Sequence, residues 1–257
     1  MLKVTLPIAL VVALHASTVR AQPPTDRVTH SVAANAELGY VEVNLGLQAT
    51  STAFDTTIHT LTFVEPATVQ TRYSVKAARA FDLGGGVRIA RNLAIGASFS
   101  RFQKTGNGTI DAQVPHPFFF SRPRTVSGTA ADLARRETGL HGKLTWTASG
   151  GDGWEVSLTG GPSFFKVEQD LVEDITINQT YPYDTATFSS AVATRHSTSG
   201  LGFNGGADIT RLLTPHMGVG VAVVISRARL KIDTAKDTTM TIDAGGIRFG
   251  GGLRFRF

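Results

Sequence analysis

Nine ionisable side chains sit at the polar positions of stretches in which apolar and polar residues alternate: Glu42, Asp82, Arg88, His141, Lys143, Glu155, Asp208, Arg248 and Arg254. A period of two places successive side chains on opposite faces of a strand, so each of these groups faces the side away from an apolar row. Four acids, four fixed cations and one imidazole on one face can neutralise one another or line a narrow ion or water path. Proton transfer is the third option. His141 with Ser157 and Glu155 supplies the three residue types that acyl hydrolysis requires. No nucleophile motif marks that trio, and His141 with Lys143 reads more simply as a hydrated pair. His30, His59, His116, His196 and His216 lack the short spacing of metal ligands, and the chain has no cysteine. No catalysis, metal or cofactor is expected, and the charged row reads first as a salt-bridged plug.

Eight stretches must position these groups. The first is Val41 to Gln48. The second runs from about Thr71 to Ile89, with Phe81, Leu83 and Val87 opposite Asp82 and Arg88. The third begins at Leu93. The fourth sets Leu140, Leu144 and Trp146 against His141 and Lys143. The fifth sets Trp154, Val156 and Leu158 against Glu155, and the sixth covers Leu201 to Thr210 with Asp208 on its polar face. Met217 to Ile225 forms the seventh and Ala244 to Phe257 the eighth. Tight turns are expected at Ala90-Arg91-Asn92, Gly150-Gly151-Asp152-Gly153 and Thr214-Pro215-His216. The other connections are longer: roughly Lys104 to Arg135, Leu171 to Thr194, and a shorter one near Asp233 to Asp237. Tyr40 is out of phase with Val41 and Val43, which puts the first strand's start after it. Pro162 cannot donate to a ladder, which predicts a bulge or a break in pairing there.

The N-terminus supplies a compartment. Met1-Leu2-Lys3 is followed by an apolar run from Val4 to Leu14 and by small residues up to Ala21, the layout of a cleaved export signal. Residues 1–21 are read as signal peptide, 22–36 as a flexible leader and 37–257 as one barrel domain. Removing the signal lowers the net charge from +5 to +3, and the remaining basic residues are scattered rather than clustered. Nucleic acid is therefore not an expected partner.

The chain ends Gly245-Gly246-Ile247-Arg248-Phe249-Gly250-Gly251-Gly252-Leu253-Arg254-Phe255-Arg256-Phe257. Apolar residues share one face and arginines the other, which suits lipid outside and a polar interior inside. An export signal, eight alternating strands, alternating short and long connections and a terminal phenylalanine together resemble the small bacterial outer-membrane barrels of the OmpA and OmpX type. The resemblance spans about residues 37 to 257. It implies an all-β, antiparallel, up-and-down transmembrane barrel with short periplasmic turns and longer extracellular loops. It also implies a bacterial outer-membrane location, membrane lipid as partner, and barrel-assembly machinery that reads Phe255 and Phe257. The expected role is structural or surface-interaction. The alternatives are a narrow channel, a lateral route for apolar solutes, and a lipid-modifying enzyme.

One connection stands apart. Val114-Pro115-His116-Pro117-Phe118-Phe119-Phe120-Ser121-Arg122-Pro123 places three adjacent phenylalanines between prolines. Phe118, Phe119 and Phe120 either meet a surface ligand or fold down and cover the barrel rim.

Overall fold

The computed structural model describes residues 38–49, 52–233 and 239–257. The expected signal peptide and leader lie outside the described residues, as does most of the connection near Asp233 to Asp237.

Ten strands form: β1 (Gly39–Ala49), β2 (Thr52–Thr62), β3 (Glu65–Val75), β4 (Ala78–Ala90), β5 (Leu93–Val114), β6 (Arg124–Ser149), β7 (Trp154–Gln179), β8 (Ala186–Thr214), β9 (Met217–Asp233) and β10 (Thr239–Arg256). Eight of them close a ring. β1 pairs with β10 and β4, β4 with β5, and each strand from β5 onward pairs with the next, antiparallel throughout. The expected up-and-down barrel of eight staves is therefore present. The remaining two strands, β2 and β3, make a hairpin between the first and second staves, and β3 adds to the upper part of β5 through Thr68↔Gln113 to Tyr73↔Gly108.

Two expectations about the second strand and the long connections fail for related reasons. The stretch from Thr71 to Ile89 is not one strand, because the chain leaves β3 at Val75 and re-enters the ring at Ala78. The stretches Lys104–Arg135 and Leu171–Thr194 are not loops but continuations of β5 to β8. β6 and β7 have 26 residues each, far more than the ~9–11 that cross a bilayer. Only 115–123 and 180–185 remain as connections there. These segments look loop-like because polar residues continue along them. The alternation persists, but its polarity reverses.

β5 shows the reversal. Ile95 and Phe99 face outward among exposed apolar residues, while Ala94, Ser98 and Ser100 face inward. Beyond Ser100 the outward row becomes Arg101, Gln103, Asp111 and Gln113, and the inward row becomes Phe102, Ile110, Ala112 and Val114. β7 switches from inward Glu155 and Ser163 to inward Phe165 and Val167, and β9 from outward Val223 and Ile225 to outward Arg227 and Arg229. The chain thus has two parts. A ring near the tight turns wears an apolar belt on its outside. A crown beyond it keeps its apolar side chains inside.

The belt is formed by Leu45, Leu83, Ile95, Phe99, Leu140, Leu144, Phe164, Phe203, Val221 and Phe249, among others, all substantially exposed. A soluble protein rarely leaves so much contiguous apolar surface in water. On a closed barrel, whose ring strands each pair with a neighbour on both sides, this is the surface that spans a membrane. Trp146, Trp154 and Phe257 lie together at the turn end, where Arg211 stacks 5.3 Å from the Trp154 ring. Aromatic rings favour such a boundary because they join an apolar body to a wet edge.

The crown core gathers Val69, Tyr73, Ile110, Val114, Val126, Leu133 and Leu171, with Phe54 stacked on Tyr73 at 4.6 Å. A second apolar cluster of Phe165, Val167, Leu230, Ile232 and Ile242 lies beside it. Burial pushes the Tyr73 hydroxyl pKa up, and its oxygen accepts a 2.8 Å hydrogen bond from the Val172 amide.

Tyr40 corrects another expectation. It lies inside β1, paired with Arg256 and Gly86, and shares the inward face with Glu42. Pro162 behaves as anticipated on one side only. The β6–β7 ladder jumps from His141↔Ser163 to Leu144↔Gly160, whereas Pro162 stays opposite Phe203 on β8. Asn204 bridges the break: its amide nitrogen lies 3.0–3.1 Å from the carbonyls of Gly142, Gly161 and Pro162.

Candidate functional site: the charged interior and the crown tip

Inside the ring, the expected charged residues meet in layers. Nearest the turn end, Arg256 on β10 binds Glu155 on β7, with Nη1 2.8 Å from Oε1. Tyr40, Arg88 and Lys143 line a cavity of about 80 Å³ beside this pair. No ion pair to Arg88 forms among the described residues.

One step further in, Glu42 lies between Lys143 and Arg254, and Arg254 also holds Asp208. Arg254 donates to the Asn44 side chain at 2.8 Å, and Thr210 donates to Asp208 at 2.6 Å. Isolated charges in so narrow a space are costly, and four strands each contribute one member of this cluster. Glycine makes room for it. A Cβ on Gly84 would stand 2.7 Å from the Glu42 carboxylate and 2.8 Å from the Ser98 side chain.

Next come Asp82 and Arg248, 3.9 Å apart, with Arg248 3.3 Å from His141 Nε2. His141 is bracketed by Ser100 at Nε2 and Ser163 at Nδ1, both 2.8 Å away, and packs edge-on against Phe165. With an arginine and a hydroxyl able to donate to Nε2, that nitrogen accepts and Nδ1–H donates to Ser163. A Cβ on Gly139 would lie 2.6 Å from the His141 ring, so this residue too must stay small.

The trio that could have hydrolysed an acyl group is not brought together. Ser157 bonds Thr147 at 2.9 Å, Glu155 serves Arg256, and the His141 ring bonds Ser100, Ser163 and Arg248, with no carboxylate on it among the described residues. No group of three potential metal ligands occurs among the described residues.

A fourth layer was missed in the sequence because it falls at the end of the expected Lys104–Arg135 connection and just past it, before the first residues assigned to the strand. Arg135 and Glu137 on β6 are almost wholly buried and 2.7 Å apart. Glu137 also accepts from Gln48 at 3.2 Å and from the Gly245 amide at 2.9 Å. The signal was present: residues 135 and 137 share the odd-numbered face of His141 and Lys143, and counting back by twos from His141 reaches both. Arg256 shares the face of Arg248 and Arg254 in the same way.

The crown tip carries the second candidate. Phe118, Phe119 and Phe120 are 67%, 55% and 76% exposed, so they do not fold down to cover the rim. Two buried ties hold their loop. His116 Nδ1 accepts from the amides of Phe118 and Phe119 at 3.1 and 3.3 Å. Arg124 donates to the carbonyls of Pro115 at 2.8 Å and Tyr183 at 3.0 Å. Desolvation lowers the Arg124 pKa from its ordinary value, and those two carbonyls take the place of water. Phe118 meets the Tyr183 ring edge-on at 5.5 Å, and Arg122 lies over Phe119. The Ser121 amide donates to Glu65 at 2.7 Å, linking this loop to the β2–β3 turn with its exposed Phe63 and Val64. Tyr181 and the β2–β3 turn were not anticipated, since their proximity to the phenylalanines depends on strands far apart in sequence.

No protein-family profile and no curated protein matches this chain. Several solved structures do. Neisserial surface protein A is 12% identical with a TM-score of 0.40, covering 85% of this chain and 97% of that one. The outer membrane protease OmpT from Escherichia coli is 9% identical with a TM-score of 0.46, covering 87% and 98%. The attachment invasion locus protein Ail of Yersinia pestis, in complex with the heparin analogue sucrose octasulfate, is 13% identical with a TM-score of 0.37, covering 85% and 99%. At these identities and scores no residue role passes from any of them to this chain.

Proposed function

We propose that this chain is a bacterial outer-membrane barrel that presents an aromatic surface for contact with an external partner, and that its interior is closed to solute flow. The observation that carries this reading is the crown tip: six exposed or half-buried aromatic rings on three connections, held by buried His116 within one loop, by Arg124 at the start of β6 and by the Ser121–Glu65 bond to β3. Holding apolar rings in water has a cost that a contact surface recovers on binding. The outer-membrane address is supported by the expected export signal, the even strand count, the apolar belt and the difference between tight turns and extended far ends.

The closed interior is supported by the layered ion pairs and by the apolar crown core above them. A small periplasmic-side cavity is compatible with it. Phe255 and Phe257 are proposed as the assembly signal. Phe257 continues the β1–β10 ladder through two backbone hydrogen bonds with Gly39, and its ring packs where a Gly39 Cβ would be, 2.5 Å away.

The test is cell attachment. A Phe118→Ser, Phe119→Ser, Phe120→Ser variant displayed on bacteria loses attachment to the surfaces the parent binds, with unchanged yield of heat-modifiable barrel. Loss of yield with retained attachment would reject the surface role. In planar bilayers, a stable open conductance from the purified parent would reject the closed interior. Deleting Phe257 lowers the folded fraction in vivo but not in detergent refolding if that residue is an assembly signal.

A further inference from the structure

The ring wall has a notch at the outer edge of the membrane belt. β3 stays paired to β5 only as far as Tyr73↔Gly108, and β4 takes over only at Ala80↔Phe102. Between these points residues 103–107 of β5 have no ladder partner on that side, and the chain turns the elbow 76–77 opposite them. A cavity of about 20 Å³ opens there, lined by Tyr73, Lys104, Asn107, Arg135 and Gln169. A space of that size holds one water or one anionic oxygen.

The charges around the notch are unusual for this barrel. Lys104 faces the cavity from β5. Arg101 lies one outward position above the belt residue Phe99, Arg79 one above Phe81, and exposed Lys76 sits on the elbow. None of Lys76, Arg79, Arg101 and Lys104 makes an ion pair among the described residues. Two other pairs of outward cations beyond the belt are matched. Arg136 and Lys166 share Glu168 at 3.9 and 3.3 Å, and Arg227 and Arg229 share Asp243 at 3.2 and 3.7 Å. Among the described residues, acids neutralise these four cations of β6, β7 and β9, and none neutralises the four around the notch, where the wall also opens.

We propose that this notch binds the phosphate of an outer-leaflet lipid. Two residues of strand rise about 6–7 Å, so Arg79 and Arg101 stand just beyond the hydrocarbon boundary, at headgroup depth. One phosphate oxygen enters the cavity beside Lys104, and the others meet Arg79, Arg101 and Lys76 on the rim. Arginine suits the rim because its planar fork matches phosphate oxygens in pairs. The lipid's acyl chains then lie along the belt over Phe81 and Phe99, which favours a lipid over free phosphate.

The experiment uses full-length mature barrel in phosphatidylcholine nanodiscs titrated with bis-phosphorylated lipid A, with native mass spectrometry as readout. The parent binds it, and dephosphorylated lipid A binds at least tenfold more weakly. A Lys76→Gln, Arg79→Gln, Arg101→Gln, Lys104→Gln variant loses at least tenfold in affinity. An Arg227→Gln, Arg229→Gln variant on the matched side stays within about twofold, the difference expected when local rather than summed charge decides. Heat-modifiable migration of both variants confirms folding. Equal losses in the two variants would overturn the site in favour of a diffuse collar. Unchanged binding by the quadruple variant would overturn it outright. Competition by millimolar inorganic phosphate as effective as by lipid A would overturn the lipid assignment.

Discussion

The ring and the crown are built from the same strands with opposite polarity. In the ring, β5 turns Ile95 and Phe99 outward and Ser98 and Ser100 inward; in the crown it turns Arg101 and Asp111 outward and Ile110 and Val114 inward. The solvent decides. Where lipid surrounds the barrel, the interior is the only place for charge, so it fills with paired ions and the glycines that admit them. Where water surrounds it, the interior takes the apolar residues and the usual hydrophobic drive returns. The two cores should therefore fail in different ways.

Arg254→Met should have the largest effect. It leaves Asp208 without its cation and removes one of two from Glu42, and breaking a buried pair costs about 3–5 kcal/mol. The lowered unfolding temperature of the heat-modifiable band reads this loss, while protease resistance of the crown in the folded fraction stays intact. Ile110→Ala should do the reverse. Large-to-small changes in a packed core cost about 2–5 kcal/mol, and Ile110 is fully buried in the crown cluster. Crown amides lose hydrogen-exchange protection, and the ring band is unmoved. If each variant weakened both parts equally, the division into two cores would be wrong.

Asn204→Leu should cost about 1–3 kcal/mol by leaving the carbonyls at the β6–β7 break without a donor. Faster amide exchange confined to residues 141–144 and 160–163 would mark it. Alkaline pH should act on the crown more gently. Burial raises the Tyr73 pKa in the folded state above the ordinary value near 10. Above that pH the unfolded chain ionises while the folded one resists, so crown stability is full below pH ~10 and falls as pH rises beyond it. Tyr73→Phe should flatten that fall, as read by crown protease resistance against pH. The smallest stability change belongs to the serine replacements at Phe118 to Phe120, whose rings are already in water; they should leave both cores intact and remove attachment.

The ring was legible because one solvent condition runs through it. Period two, Phe257 at the end of an unbroken apolar row and the tight turns identified eight staves, and Glu42, Lys143, Asp208, Arg248 and Arg254 fell on the correct face. The crown was not legible by the same rule. Reading polar outward residues as loop hid the continuation of β5 to β8, with Arg135 at the edge of one such stretch and Glu137 just past it; residues 52–70 passed as connection and 71–75 as part of the second stave, although they pair as β2 and β3. Tyr40 was misplaced because an aromatic was expected on the apolar face, whereas it lines the cavity with its hydroxyl 3.5 Å from Thr145.

Local alternation and chain punctuation, both written residue by residue, determined that this protein is an antiparallel barrel with a charged inner row. Which charges meet was decided only by closure of the ring. Glu42 reaches Lys143 and Arg254 across more than a hundred residues of sequence, through a register set by six hairpins, the β1–β4 pairing and one seam between first and last strand. The tip and the notch likewise exist only where distant strands converge or part, because a surface made by several segments has no signature in any one of them.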